Sequence, residues 1–169
     1  MSTTAPIGPA DVAHRLRTWA AGSHPLAAAI ELLIRAFDGR FARADQPWIR
    51  VEPNGHVWLD DEVLHAGLRP LSGGERRVLD VVCALANDRR TIGLADTLAG
   101  LDRTHLNLVL AACAHAAGSH EHAELVVDPH TGGPQLVVLG SAHPWPPTTP
   151  TATTPAPINR GPEPTPRGI

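Results

Sequence analysis

Asn54-Gly55 stands between two alternating runs, Trp48-Ile49-Arg50-Val51-Glu52 and His56-Val57-Trp58-Leu59-Asp60. Asn-Gly flanked in this way is the strongest short-range hairpin signal, because both residues tolerate the positive φ that a tight primed turn demands. The chain must fold back on itself here as an antiparallel ribbon. Alternation assigns Ile49, Val51, Val57 and Leu59 to a core face and places Trp48 and Trp58 together on the other. Two tryptophans on one side of a ribbon imply either a covering element or a contact surface. Covering is the simpler reading, since large exposed apolar patches are uncommon, and both residues stand as contact candidates.

A second ribbon is expected near the other end. Glu124-Leu125-Val126-Val127 and Gln135-Leu136-Val137-Val138-Leu139 are joined through Asp128-Pro129-His130-Thr131-Gly132-Gly133, which is good turn chemistry. These runs are more continuously apolar than the first pair, so they are expected to be buried on both faces.

Helical periodicity fills most of the remainder. Asp11 is placed to cap a helix with Val12, Leu16 and Trp19 on its apolar face, ended by Gly22. Ser23 caps a second helix, with Pro25 in its first turn and Leu26, Ile30, Leu33 and Phe37 on one face, closed by Asp38-Gly39. A third runs from Gly74 to about Ala86, with Val78, Leu79, Val82 and Leu85 inward. Leu94 to Leu101 reads as a short helix or turn. Asp102 caps a last helix carrying Leu106, Val109, Leu110, Cys113 and Ala116, stopped by Gly118. It is apolar around more than half its circumference and is expected to be central. The fold class is therefore α+β, with about five helices and two β-hairpins.

From Ala142 onward proline and threonine dominate, and apolar side chains almost vanish apart from Trp145. Such a segment cannot recover the entropy of ordering. The expected organisation is a flexible arm at 1–9, a single α+β domain at 10–141 and a disordered tail at 142–169. Within the tail, Pro144-Trp145-Pro146-Pro147 has polyproline character and makes Trp145 a candidate contact.

Leu71-Ser72-Gly73-Gly74-Glu75-Arg76 carries the sharpest functional signal. It resembles the signature motif of ABC-type and SMC-type ATPases, and the similarity continues through Ala84-Leu85-Ala86-Asn87-Asp88 to Ala99-Gly100-Leu101-Asp102, which is similar to that family's D-loop. His130 falls near the place of its switch histidine. The resemblance implies that Ser72, Gly73, Gly74, Glu75 and Arg76 would meet a nucleotide phosphate at a helix N-terminus, where amide groups and the dipole favour anions. The departures are as clear. All fourteen basic residues are arginine, so no phosphate-binding loop of the form G-x-x-x-x-G-K-[ST] is possible. Ala95 stands where the family has its magnesium-binding aspartate, and Asp96 where it has a catalytic glutamate. A free-standing P-loop ATPase is excluded. Ser72-x-x-Glu75 is at the same time a capping box, which needs no nucleotide.

The wider pattern of a Trp-bearing strand, LSGGER, an apolar helix and then GLDR also resembles a group of small uncharacterised proteins of high-GC actinobacteria and their phages. That likeness carries no activity with it.

The other chemistry is sparse. Without lysine there is no Schiff-base or lysine general-base route. The formal net charge of −3 gives no overall drive toward nucleic acid, although Arg76-Arg77 and Arg89-Arg90 are local clusters. His115, His120, His122 and His130 lie close in sequence, but Cys113 and His115 point about 200° apart on a helix, and no metal site or cofactor is expected. Ser72, Ser119 and Cys113 lack a nucleophile elbow, Asp60-Asp61-Glu62 reads as a solvated loop, and no catalytic residue is assigned. The cysteines Cys83 and Cys113 suggest buried thiols rather than a disulfide framework. Met1 to Pro9 has no signal-peptide pattern and no stretch is long enough to span a membrane, so a cytoplasmic location is expected.

The expected function is that of a non-enzymatic module for macromolecular interaction or regulation, with an unknown protein partner. Trp48, Trp58, Arg76, Arg77 and Trp145 are its contact candidates. One alternative is a degenerate ABC-like module that presents its signature helix to a partner ATPase, which requires residues 91–96 to be a buried strand. The other is a DNA-binding regulator, which requires the four arginines to form one patch.

Overall fold

A computed structural model describes residues 8–147. Among these residues the chain forms six α-helices and two separate antiparallel hairpins, an α+β architecture.

Helix α1 (Pro9–Ala20) starts one turn earlier than an Asp11 cap would place it. Pro9 occupies the first turn and the Gly8 carbonyl accepts from Asp11 and Val12, because proline at this position lacks only an N–H that the helix does not use. Asp11 instead lies in the first turn and accepts a 3.0 Å bond from Arg15 Nε. Ala21 and Gly22, the latter at φ +91°, turn the chain into α2 (His24–Arg35), whose Leu26 amide bonds the Ser23 hydroxyl at 3.4 Å.

Helix α2 buries Ala28, Ala29, Ile30, Leu32 and Leu33. It packs on α1, on α4 (Gly73–Ala86) and on α6 (Arg103–Ala116), so α2, not α6, is the central helix. The buried stripe of α6 is Leu108, Val109, Ala111 and Ala112, while Leu110 and Cys113 face solvent. An all-round apolar pattern does not define a face, and packing against α2 selected one.

Past α2, a 3-10 segment over Ala36–Ala42 reverses the chain through three left-handed residues, Phe37, Asp38 and Gly39. It leads to strands β1 (Ile49–Val51) and β2 (Val57–Leu59), paired Ile49 to Leu59, Arg50 to Trp58 and Val51 to Val57. Ile49, Val57 and Leu59 are buried as their alternation requires, but Val51, next to the turn, is exposed. Trp48 departs further from expectation. It precedes the strand, turns into the core and donates from Nε1 to the Phe41 carbonyl at 2.8 Å. A Cβ on Gly67 would approach its ring to 3.1 Å. Trp48 is therefore a core residue and not a contact surface, and Trp58 is half-buried.

Asp60-Asp61-Glu62 is not a solvated loop. Asp60 caps a short helix, α3 (Asp61–Ala66), by accepting from the Val63 amide at 3.1 Å. Asp61 accepts from Arg90 Nε at 3.1 Å and Asn87 Nδ2 at 3.0 Å, fastening α3 to the end of α4. Helix α5 (Leu94–Ala99) then leads to Asp102, which caps α6 through the His105 amide at 2.9 Å. After Gly118, in the left-handed region at φ +68°, a 3-10 turn (Ser119–Glu121) enters the hairpin of β3 (Ala123–Val127) and β4 (Pro134–Val138). No helix among the described residues is long and apolar enough to cross a membrane.

The start of the expected tail is fastened down. The Ala142 amide donates to Ser119 Oγ, His143 Nε2 lies 2.6 Å from Asn107 Oδ1, and Arg35 donates to the Pro146 carbonyl at 2.9 Å while lying over the Trp145 ring. Residues 142–147 thus pack on α2 and α6, because Trp145 supplies apolar area and Arg35 a cation for its face. Trp145 is spent largely on its own chain. The rest of the expected tail, 148–169, and residues 1–7 lie outside the described residues.

Candidate functional site

The N-terminus of α4 was the leading candidate from the motif. There Ser72 Oγ accepts from the Glu75 amide at 3.4 Å, and Glu75 Oε2 accepts from the Ser72 amide at 2.9 Å, a complete capping box. The Ser72 amide bond, ahead of an ion pair with Arg40, holds the Glu75 carboxyl below its ordinary pKa. The helix end that an anion would occupy is thus faced by a carboxylate. Gly73 and Gly74 form the first turn, and Arg76 is exposed. Of the 91–96 stretch that the ABC-like arrangement needs as a buried strand, residues 91–93 are not a strand and 94–96 open helix α5. Arg77 donates to the Asp96 carbonyl at 3.1 Å, so Asp96 is a structural partner.

The arginines do not form one patch. Arg76 and Arg77 start α4 and Arg89 and Arg90 follow its end, about 20 Å apart along a helix of this length. Arg77 is paired with Asp96 and Arg90 with Asp61. A groove of about 940 Å³ between α2 and α6 includes Arg17, Arg35 and Leu110 in its wall. Both arginines are engaged by Glu31 at 2.8 and 2.6 Å. Burial alone pushes the Glu31 carboxyl up, but the bonds from Arg17 and Arg35 outweigh it and hold its pKa below the ordinary value. That arrangement ties α1 to α2.

The β3–β4 hairpin reverses the sequence expectation. Its register pairs Ala123 with Val138, Leu125 with Leu136 and Val127 with Pro134, and directly paired residues share a face. That face holds six apolar residues and no polar one. Leu125, Val127, Leu136 and Val138 are 69%, 72%, 67% and 69% exposed. The opposite face mixes Glu124 and Gln135 with Val126 and Val137. Glu124 and Gln135, which fall on the same face of the ribbon, were the sequence signal that one face only is apolar. That no helix among the described residues covers this face was not legible. His130 sits in the turn, its amide bonded to Asp128 Oδ1 at 2.7 Å.

A histidine cluster lies at the root of this hairpin. One ring nitrogen each from His24, His115 and His120 lie within 4.8 Å of one another. His24 opens α2, His115 is in the last turn of α6 and His120 is in the 3-10 turn. The His115 and His120 rings stack at 4.3 Å. Glu121 Oε2 is 3.2 Å from His24 Nε2, and Oε1 is 3.9 Å from His120 Nε2. Burial first, then the neighbouring His120 and His24, push the His115 pKa down. His122 and His130 are not part of the group. Sequence reading missed His24, because 97 positions separate it from Glu121 and no local spacing signals the pairing.

Of the two cysteines, Cys83 is buried, and burial pushes its thiol up to about 12. It is chemically quiet. Comparison of the chain with protein-family models, with curated proteins and with solved structures finds no match.

Proposed function

We propose that this chain is a non-enzymatic interaction module that docks a protein partner on the apolar face of the β3–β4 hairpin. The observation that carries the reading is the face of Ala123, Leu125, Val127, Pro134, Leu136 and Val138, open to solvent although wholly apolar. A two-stranded hairpin standing alone is marginally stable at best in water, and contiguous apolar surface on a folded protein marks an interaction site. Among the described residues β3 and β4 pair only with each other, which leaves each with an outer edge of the kind that accepts another strand. Trp58 and Arg76 remain as further contact candidates, neither of them in the core.

The test compares the full chain with a Leu125→Ser/Leu136→Ser variant after cross-linking in native cells. The reading expects one protein that is recovered with the wild type and lost with the variant, while the melting temperature is unchanged. Recovery of chaperones alone, or of the same proteins by both forms, refutes it.

A further inference from the structure

We propose that His24, His115 and His120 form a binding site for a single divalent transition-metal ion of the zinc class, with the Glu121 carboxylate beside His24 as the group that orients the set. The three imidazoles come from three different elements and converge, one nitrogen each, to within 4.8 Å. Tetrahedral zinc with nitrogen ligands at about 2.0–2.1 Å needs nitrogens about 3.4 Å apart. The gap closes by ring rotation, for which partly exposed side chains have room. The backbones that carry His24 and His115 are held together by the packing of α2 on α6.

Ring stacking accounts for the His115–His120 pair but leaves one fact over. His120 Nδ1 is buried without a hydrogen-bond partner, a costly state for a polar atom. Coordination, or a hydrogen bond formed as the cluster closes, satisfies it. Imidazole with carboxylate selects zinc, copper, nickel or cobalt over magnesium and calcium, which prefer all-oxygen sets. The 3-10 turn that carries His120 runs through His122 directly into β3. A bound ion therefore clamps the root of the hairpin onto α2 and α6, whether or not the hairpin docks a partner.

The full chain, stripped with a chelator, is titrated with Zn²⁺ by calorimetry and with Co²⁺ by absorption spectroscopy. One ion per chain is expected, with a tetrahedral Co²⁺ spectrum and a melting temperature raised by zinc. Glu121→Gln should weaken binding by roughly 10–100-fold, the range for a group that orients a ligand. His24→Ala and His120→Ala should weaken it at least as much and abolish the thermal shift. His122→Ala and His130→Ala should change nothing. His24 is partly exposed, so His24→Ala should fold, as circular dichroism will check, and Glu121→Gln gives an independent reading. Unchanged affinity in His24→Ala and Glu121→Gln, a thiolate charge-transfer band from Cys113, or no saturable binding overturns the proposal.

Discussion

The two hairpins of this protein share a plan and differ in what covers them. Each joins two short antiparallel strands through a turn with a positive-φ glycine, Gly55 in one and Gly132 in the other. In each turn a side-chain oxygen accepts from the amide two residues on: Asn54 from His56 at 2.8 Å, Asp128 from His130 at 2.7 Å. In β1–β2, the apolar residues Ile49, Val57 and Leu59 are buried, α1 lies against β2, and Arg15 of α1 clamps the turn by donating to the Gly55 carbonyl. Among the described residues, the equivalent face of β3–β4 has no such neighbour. Strand pattern decides which side of a ribbon is apolar. Whether that side is structural or available depends on a helix supplied from elsewhere in the chain.

The largest expected effect tests that contrast directly. Leu59 is 3% exposed and Leu136 is 67% exposed. Leu59→Ala should cost about 2–5 kcal/mol, as buried leucine truncations do. Leu136→Ala should fall within about 0.5 kcal/mol of wild type, as surface changes do. Urea denaturation of both variants reads the difference. A comparable loss at Leu136 would show that the face is covered in solution, for example by self-association, and would break the comparison.

A smaller effect separates the turns. Gly55→Ala and Gly132→Ala each force a side chain into the left-handed region, at about 1–2 kcal/mol. At Gly55 the added Cβ also meets the Arg15 guanidinium, whereas at Gly132 it meets open space. Gly55→Ala should therefore lower global stability. Gly132→Ala should leave the denaturation midpoint unchanged and show only as faster amide exchange across β3 and β4, which open locally. Loss of global stability in Gly132→Ala would mean that β3–β4 belongs to the cooperative core.

Much of this architecture was legible locally. The Asn54-Gly55 turn, the Ser72 and Asp102 caps and the helix over 73–86 follow from interactions within a few residues. What failed depended on distant partners. Asp61 looked like part of a solvated run because Arg90 and Asn87, which hold it, come 29 and 26 positions later. The face of α6 was misassigned because α2 chose it. Trp48 was placed opposite the core because its burial depends on Phe41 and on the absence of a side chain at Gly67. The histidine cluster was invisible for the same reason, since it exists only where the start of α2 meets the end of α6.

The smallest expected effect is a pH dependence confined to one hairpin. Asn54 and Asp128 do the same job, but only Asp128 titrates. The bond from the His130 amide, with help from Thr131, holds the Asp128 carboxyl below its ordinary pKa. A carboxylate whose pKa is lower folded than unfolded stabilises the fold above the unfolded value, about 3.9 for aspartate. That contribution disappears as pH falls through the lower, folded value. Acidification through this range should loosen the β3–β4 turn, seen as line broadening or shift changes of the His130 and Thr131 amides, while the bond from the His56 amide to the uncharged Asn54 side chain persists. Asp128→Asn should remove the dependence and keep the turn. If the His130 and Thr131 amides still move with pH in Asp128→Asn, another group titrates there and Asp128 does not carry the effect.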